Sequence, residues 1–330
     1  MNLHIDTEAF RELIELSADY FGYEQSHVEK DYWITKILKE IASSEFAGLS
    51  YFKGGTSLSK AYGIISRFSE DLDVFIYSGD VSSSRQAEKT LNRKLSHFVI
   101  ENNKNMYREE LSKTGGDFRK LAFSYDIHYQ GVGLKENLEV EIKCCALEDK
   151  TRMYHPVQKR TIAPIITDYL KQKDTGATII SQFGLEKFEV LTIDPKRTLC
   201  DKVSRLTRLS YNDEYETLVA KHIRDVYDIC MLLELPEYKE FVSSEEFVSA
   251  LRMVAEEDGL FAKIAPRRCL SEAKIFCDTE QVLRQPMIYR AYSSELRKLM
   301  FDANKQPPLD HLVSQICLLY ESLCRFDEVR

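Results

Sequence analysis

Apolar and polar positions repeat with two different periods along this chain. In residues 1 to 45 the apolar residues recur every three or four positions, which predicts two helices. Further on, strict alternation predicts one strand over Leu121 to Tyr129 and another over Leu138 to Cys144. Helices and strands are therefore mixed within the first half of the chain.

Shorter elements are predicted between these. Ser50 to Gly55 (SYFKGG) indicates a strand that runs into a glycine turn, and Thr56 to Ile65 has the composition of a helix. Leu72 to Tyr77 (LDVFIY) indicates a second strand, and residues 82 to 104 indicate a charged helix. These elements fit a sheet with helices packed against it.

A loss of period marks the middle of the chain. Residues 150 to 187 look irregular and contain three residues that favour turns, Pro156, Pro164 and Gly176. We interpret this segment as a crossover between two domains, which we expect to span residues 1 to 165 and 166 to 330.

The second half of the chain is predicted to be mainly helical. Asp194 and Pro195 are typical of a helix start, because Asp can accept a backbone hydrogen bond at the N-cap and Pro suits the first turn. The apolar stripe from Val219 to Leu233 predicts one regular helix. The predicted fold class is therefore α+β.

The composition and net charge of the chain exclude several classes of protein. The chain has 330 residues and a net charge of −8, which excludes a protein that coats nucleic acid through general positive charge. No apolar run approaches the roughly 18 residues that a membrane span needs. The first residues also lack the layout of a signal peptide. We expect a cytoplasmic protein with no membrane partner.

The cysteines and histidines form no recognisable zinc motif. Cys144 and Cys145 are adjacent and the other six cysteines are single, with no C-x-x-C pair; the 7 histidines form no H-x-H or H-E-x-x-H pattern. We interpret the cysteines as reduced core residues, and a zinc enzyme is disfavoured.

Chemistry concentrates in the segment from Phe52 to Phe75. Its glycine turn, Gly54 and Gly55, is followed by Thr56 and Ser57 at a helix start, where backbone N–H groups and hydroxyls suit a phosphate. A glycine turn alone is weak evidence, so the interpretation depends on what lies beside it.

Two carboxylates follow within the same segment. Asp71 and Asp73 are two residues apart on a predicted strand, so both side chains project from one face. Solvated charges on an exposed edge are the alternative, but Leu72 and Val74 indicate that the opposite face is buried. Because aligned carboxylates repel unless a cation lies between them, we favour a Mg²⁺ site.

A third carboxylate and a cation are further candidates. Glu139 and Glu141 occupy the polar face of a predicted strand, and we favour Glu141 as an additional metal ligand, with an ordinary solvated strand as the alternative. Lys202 lies on or beside an apolar stripe, where either a bound polyphosphate or a snorkelling side chain would explain it.

The helix with sequence KHIRDVYD has a simple alternative explanation. Its charges are spaced so that Lys221 can pair with Asp225 and Arg224 with Asp228, four residues apart, as on many exposed helices. By spacing alone, these residues are ordinary surface pairs.

Taken together in order, these motifs resemble the AbiEii/AbiGii-type (MenT-like) nucleotidyltransferase toxins of the DNA polymerase β-like nucleotidyltransferase superfamily. The resemblance covers most of the chain. It is carried by VEKDYWITKILKEI, FKGGTSLSKAYG, RFSEDLD, LEVEIK, TLCDKVSRLTR and KHIRDVYD.

The resemblance implies a fold and an activity. A polymerase-β-like domain with a mixed β-sheet flanked by helices would be followed by a mostly helical domain that completes the active-site cleft. Such enzymes move a nucleoside monophosphate from an NTP to an acceptor, and several act as toxins of type IV toxin–antitoxin or abortive-infection systems. The implied partners are an NTP, one or two Mg²⁺ ions, an RNA acceptor such as the tRNA 3′ end, and an antitoxin protein.

The resemblance also implies residue roles. The triphosphate would be bound by Gly54, Gly55, Thr56, Ser57 and Lys60, with Arg67 as a further candidate. Mg²⁺ would be held by Asp71, Asp73 and Glu141. The helical domain would contribute Lys202 to phosphate binding, and Asp225 and Asp228 would complete the site.

Two other functions fit the same residues. The acceptor could be a small molecule or a protein side chain, which the acidic net charge suits slightly better if that molecule is cationic. A nucleotide-binding interaction protein without turnover is the second alternative, although it has no need for paired metal ligands.

Overall fold

A computed structural model describes residues 2–77, 85–116, 118–144, 157–264 and 268–329. The described residues form two compact units. The first, which we call the sheet unit, contains those within 2–63, 67–144 and 157–193. The second, the helical unit, contains those within 64–66, 194–264 and 268–329.

The sheet unit is built on a mixed sheet, which has seven strands in the described residues. The strands are β1 Ser50–Lys53, β2 Asp71–Ile76, β3 Tyr107–Gly115, β4 Phe118–Phe123, β5 Leu138–Cys144, β6 Val157–Ile162 and β7 Phe188–Ile193. Their order is β3-β4-β5-β2-β1-β7-β6. The β2–β5 and β1–β7 pairs are parallel and the others are antiparallel.

Helices accompany this sheet. They are α1 Thr7–Phe21, α2 Gln25–Ala42, α3 Gly54–Lys60, α4 Arg85–Asn102, α5 Ile165–Leu170 and α6 Gly176–Phe183. Helix α1 begins where the Asp6 side chain accepts a hydrogen bond from the Ala9 N–H at 3.1 Å, and it ends at Gly22, whose φ of 70° suits glycine. Helix α2 is buried along most of its length, so its charged residues need partners inside the protein.

The helical unit follows. Its helices are α7 Pro195–Ser210, α8 Tyr215–Lys221, α9 Ile223–Leu233, α10 Pro236–Val242, α11 Glu245–Glu257, α12 Leu260–Ile264, α13 Lys274–Cys277, α14 Thr279–Leu283, α15 Pro286–Arg290 and α16 Leu309–Glu328. As predicted, α7 starts at Pro195, and the Asp194 side chain accepts from the Lys196 N–H at 2.9 Å. Helices α7, α9, α11 and α16 each bury leucine or valine side chains completely. The predicted α+β class, with a mixed sheet followed by a mostly helical region, is confirmed.

One predicted strand is shorter than its alternation indicated. Strand β4 ends at Phe123, which pairs with Leu138 at the start of β5. Beyond that point the backbone N–H groups of His128 and Tyr129 donate to the carboxylate of Glu29, at 3.0 and 3.1 Å, instead of joining the sheet. The extension of the strand to Tyr129 was therefore wrong, because a buried carboxylate takes the backbone donors.

The prediction that residues 150 to 187 are irregular was also wrong in its described part. That part contains β6, α5 and α6. Strand β6 (VQKRTI) carries apolar residues only at its ends and is largely solvated, so no period is visible in its sequence. Residues 150–156 lie outside the described residues.

Two smaller predictions also change. The stripe from Val219 to Leu233 is divided between α8 and α9, with His222 at the junction. All seven described cysteines are free thiols, but Cys277 and Cys317 are exposed rather than in the core; Cys145 lies outside the described residues. In the part of the chain that the structure describes, no helix is long and apolar enough to cross a membrane.

Candidate active site

Four carboxylates lie side by side on the central strands of the sheet. In the parallel pairing of β2 with β5, Asp71 is opposite Glu139 and Asp73 is opposite Glu141. Since residues two apart on a strand share a face, all four project from the same side of the sheet. The alternate positions, such as Leu72 and Ile142, are buried. We call these four residues the acidic cluster.

Gly54 makes room for one member of the cluster. Its φ is +76°, and a Cβ atom at this position would lie 2.9 Å from Asp73 Cγ and overlap Asp73 Oδ2. Any other residue would therefore force the carboxylate away and would also be strained in its backbone. The glycine predicted as part of a phosphate turn is thus required sterically by the neighbouring aspartate.

The hydroxyl groups at the start of α3 are used within the chain. Thr56 Oγ1 donates to the backbone oxygen of Asp71 and lies 3.0 Å from Ser69 Oγ. Ser57 Oγ donates to the backbone oxygen of Gly54 at 2.8 Å. Thr56 therefore fixes the backbone that carries Asp71, and Ser57 closes the turn next to it.

Two lysines that the sequence did not single out lie among the carboxylates. Lys135 Nζ is 2.7 Å from Asp71 Oδ1 and also contacts the Glu139 carboxylate. Lys120 Nζ, from β4, is 2.6 Å from Glu139 Oε1 and 3.9 Å from Glu141 Oε1. In the described residues the cluster does not bring three ligand oxygens within 4.8 Å of one another. The lysines occupy part of the space between them.

The electrostatics of the cluster follow from this crowding. Partial burial opposes the charge of Lys135, but the Asp71 and Glu139 carboxylates outweigh it and raise the pKa of the ammonium group. Burial and the negative charge of Asp71 raise the pKa of Glu141, against the opposing effect of Lys120. The crowding of the carboxylates therefore opposes ionisation of Glu141, and a bound cation would relieve that repulsion.

The donor set fits a hard divalent cation. Asp71, Asp73 and Glu141 offer only oxygen ligands, which suit Mg²⁺. Asp71 and Glu141 are partly exposed, with 27% and 32% of their side-chain surface accessible. A cation could thus reach them. Asp73 can occupy its position beside them because Gly54 has no Cβ atom to displace its carboxylate.

A buried ion pair holds Lys135 in position. Lys30, on α2, is completely buried, and its Nζ lies 2.8 Å from Glu70 Oε2 and contacts the backbone oxygen of Lys135. The same Glu70 oxygen accepts from the Lys135 N–H at 2.8 Å. Lys30 and Glu70 therefore fix the backbone from which the Lys135 side chain reaches Asp71.

The residues on either side of Lys30 act in the same way. Glu29 is fully buried and binds the loop at His128 and Tyr129. Asp31 contacts Lys60 Nζ and accepts from the Ile165 N–H at 2.8 Å. Lys60, predicted to bind phosphate, thus pairs with Asp31 in this structure.

The sequence itself contains a signal that Glu29, Lys30 and Asp31 are buried. Three consecutive helical residues cover about 200° of the helix circumference. Glu29, Lys30 and Asp31 lie directly between Val28 and Tyr32, so they cannot all share a solvated face with apolar neighbours on both sides. Buried charges of this kind require partners elsewhere in the chain.

Arg67 was a further candidate for phosphate binding. Its side chain is buried, and Nη1 donates to the backbone oxygen of Phe68 at 3.0 Å. Its proposed contact with phosphate stays a prediction.

The helical unit holds a second group of predicted site residues. Lys202 Nζ, on α7, lies 2.6 Å from Asp225 Oδ1 and 2.9 Å from Asp228 Oδ2, both at the α9 helix. All three residues are at least 95% buried. We call them the buried triad. The structure therefore brings together the lysine and the two aspartates that the sequence proposed separately.

Asp225 and Asp228 are not members of exposed surface pairs, because both side chains are buried. Asp225 Oδ2 also lies 3.2 Å from Arg205 Nη1 and 3.7 Å from His222 Nδ1. Burial by itself would raise the pKa of Asp225, but the positive charges of Lys202 and Arg205 hold it well below its usual range. Asp225 is therefore an ionised residue of the interior and not a surface partner of Lys221.

A family model matches residues 36–315 of the chain, and its description is nucleotidyl transferase AbiEii toxin of a type IV toxin–antitoxin system. Because the match covers most of the chain, the protein belongs to the AbiEii nucleotidyltransferase toxin family. No curated protein shows a significant match.

Two solved structures are similar to the chain at low identity. The MenT4 nucleotidyltransferase toxin from Mycobacterium tuberculosis H37Rv is 14% identical with a TM-score of 0.45, and the match covers 95% of this chain and 92% of that one. A candidate nucleotidyltransferase from H. pylori is 15% identical with a TM-score of 0.37, covering 89% and 95%. Both TM-scores are low, so the family assignment rests on the family model alone.

Proposed function

We propose that this protein uses Mg²⁺ to transfer a nucleoside monophosphate from an NTP to RNA, at the 3′ end of tRNA. In this proposal it acts as the toxin of a type IV toxin–antitoxin or phage-defence system, in the cytoplasm, and a cognate antitoxin protein opposes it. The family match supports toxin nucleotidyl transfer. Metal dependence is supported by the residues of the chain itself, and the acceptor by the family resemblance.

The observation that carries the proposal is the pairing of β2 with β5. It aligns Asp71 with Glu139 and Asp73 with Glu141 on one face of the sheet, so that four carboxylates are adjacent. Such a cluster is costly in an apo protein, because like charges repel. Binding of a cation and a phosphorylated substrate offsets that cost.

The chain's own residues position the reacting groups. Thr56 holds the backbone of Asp71, Gly54 leaves space for Asp73, and Lys30 with Glu70 fixes the backbone at Lys135. Mg²⁺ would bind Asp71, Asp73 and Glu141 and, when bound, would neutralise charge on the triphosphate and polarise its α-phosphoryl group. Lys135 contacts Asp71 in this structure and therefore competes with the cation for that carboxylate. Positioning and electrostatics of this kind provide most of the catalysis of phosphoryl-group transfer.

The acceptor is the part of the proposal that depends most on the family resemblance. The net charge of −8 does not attract RNA in general, so contact would have to be local. Arg93 and Lys94 on α4 are exposed and could provide such a contact. Lys202 as a phosphate ligand, with Asp225 and Asp228 around it, likewise stays a prediction.

The test is a transfer assay with each α-³²P-labelled NTP, Mg²⁺ and total bacterial RNA. We expect label on a tRNA-sized band with the natural protein and a loss of at least about 100-fold with Asp71→Asn. Asp168→Asn is the matched control, since Asp168 is an exposed aspartate of the same unit whose carboxylate pairs with the nearby Lys171 at 2.6 Å. It should transfer label at the normal rate.

Each other result rejects a defined part of the proposal. If a protein or an added small molecule is labelled and RNA is not, RNA is not the acceptor and the labelled molecule takes its place in the proposal. If the protein binds NTP but releases no pyrophosphate, it is a nucleotide-binding protein and not a transferase. Equal transfer by Asp71→Asn and the natural protein would remove the acidic cluster from the site.

A further inference from the structure

A second group of possible metal ligands lies in the helical unit, apart from the buried triad. The Cys230 Sγ, a Glu234 carboxylate oxygen and a His311 ring nitrogen all lie within 4.8 Å of one another. In the described residues this is the only group of three such ligands that is so close. The proposed nucleotidyl transfer makes no use of it.

The three residues come from two helices that pack together. Cys230 is in the last turn of α9 and Glu234 caps the C-terminus of that helix; being four residues apart with helical backbone angles, they lie on the same side. His311 is in the first turn of α16 and contacts the Glu234 carboxylate through Nε2. The helices thus present a sulfur, an oxygen and a nitrogen ligand to one point.

The chemistry of this set differs from that of the acidic cluster. A thiolate, an imidazole and a carboxylate are the ligands that Zn²⁺ prefers, whereas Mg²⁺ takes oxygen ligands only. Zn²⁺ holds its ligand atoms about 2.0 to 2.3 Å away, which places them roughly 3 to 4 Å from one another in a tetrahedral site. The observed spacing needs only small side-chain movements to reach that geometry.

Gln315 provides an independent observation. It is 91% buried, one turn after His311 on α16, and its Nε2 donates to Glu234 Oε1 at 3.0 Å. Its Oε1 is buried and has no hydrogen-bond partner among the described residues. A buried acceptor of this kind is costly unless a donor reaches it. A water molecule that completes the coordination of a metal ion would be such a donor.

From these observations we infer that Cys230, Glu234 and His311 form a zinc site that links α9 to α16, with Gln315 orienting the Glu234 ligand. Cys230 is completely buried, while His311 is 38% exposed, so an ion can enter from the side of His311. Helix α9 also carries Asp225 and Asp228, so the ion would stabilise the helix whose aspartates pair with Lys202 of α7. The inference does not depend on the proposed acceptor or on Mg²⁺.

The test uses Co²⁺ as an optical probe for the zinc site in the full chain. We expect one Co²⁺ per chain, with a thiolate-to-metal charge-transfer band and the visible bands of tetrahedral cobalt, and displacement of Co²⁺ by Zn²⁺. His311→Ala should lose the visible bands, and Cys230→Ser should lose the charge-transfer band. Cys317→Ser is the control, because Cys317 is an exposed cysteine on the same helix.

Thermal unfolding provides a second readout that does not depend on activity. Zn²⁺ should raise the Tm of the natural protein and of Cys317→Ser, but not that of His311→Ala. His311 is partly exposed, so its replacement keeps the test valid even if Cys230→Ser does not fold. The inference is overturned if the natural protein gives no thiolate band with Co²⁺, or if His311→Ala binds Co²⁺ and responds to Zn²⁺ as the natural protein does.

Discussion

The acidic cluster and the buried triad contain the same kinds of charge in opposite arrangements. In the acidic cluster, four carboxylates are adjacent and contact Lys120 and Lys135, and Asp71, Glu141 and Lys135 keep part of their surface in contact with water. In the buried triad, Lys202 lies between two aspartates, Arg205 adds a second cation, and Lys202, Asp225 and Asp228 are almost completely buried.

This difference shows what each group can do. An accessible cluster of adjacent carboxylates is suited to take up a cation. A buried and neutralised group already satisfies its own charges, so it holds a side chain in place. The pKa values shift in directions that agree with this difference. Burial and the charge of Asp71 raise the pKa of Glu141, whereas Lys202 and Arg205 lower the pKa of Asp225 despite its burial. We therefore interpret Asp225 and Asp228 first as residues that orient Lys202.

The strongest challenge to this comparison is the removal of Lys202. Lys202→Met leaves two buried aspartates without their lysine, so we expect the free energy of unfolding to fall by about 3 to 5 kcal/mol. The triple variant Lys202→Met, Asp225→Asn, Asp228→Asn should recover most of this loss, because no buried charge is left unpaired. Denaturant unfolding measures both. If the triple variant is no more stable than the single one, the triad does not behave as a neutralised group.

A smaller effect is expected from Gly54 in the sheet unit. Gly54→Ala combines an unfavourable φ with an overlap on Asp73, which should cost about 2 to 4 kcal/mol and displace the carboxylate. Gly63→Ala is the matched control: its φ is +65°, but a Cβ there meets nothing within 4 Å. It should cost only about 1 kcal/mol.

Metal binding distinguishes the two glycine variants further. Gly54→Ala should weaken Mn²⁺ binding at least about 10-fold, equivalent to roughly 1.4 kcal/mol, while Gly63→Ala should leave it unchanged. Isothermal titration with Mn²⁺ measures this. Equal weakening in both variants would show that backbone strain matters and that the space for Asp73 does not.

The smallest effect is a pH dependence of opposite sign in the two regions. The pKa of Glu141 is raised in the folded protein, so ionisation of its carboxyl costs stability as the pH rises above about 4.5. Glu141→Gln should therefore be more stable than the natural protein at pH 7 and equally stable below pH 4.5.

Asp225→Asn should show the reverse. Because the folded pKa of Asp225 is lowered, its ionised form adds stability above the unfolded pKa near 3.8, and that stability is lost as the pH falls through the folded value. The variant should be less stable than the natural protein at pH 7, and the difference should shrink in acid. Unfolding curves across this pH range, without metal, check both signs; a difference of the same sign for both variants would contradict the comparison.

Local sequence pattern was sufficient to predict much of the fold and the shared face of the four carboxylates in the acidic cluster. Alternation in LDVFIY and LEVEIK predicted β2 and β5, and it placed Asp71, Asp73, Glu139 and Glu141 on polar faces. The Asp194–Pro195 helix start was equally clear, because its signal lies within a few residues. Such signals are local: they report which face of an element is apolar and where its backbone must turn.

The tertiary structure decided which charges meet. Lys30 is separated from its partner Glu70 by 40 positions in the sequence, and from Lys135, whose backbone oxygen it contacts, by 105 positions. Lys202 and Asp225 are separated by 23 positions. Cys230 and His311 likewise approach only because α9 and α16 pack together, so a search for zinc motifs by spacing could not find them. The sequence determined the faces of the strands and helices through nearest-neighbour periodicity; the packing of distant elements determined the partners, because a buried charge must be satisfied by whatever the fold brings to it.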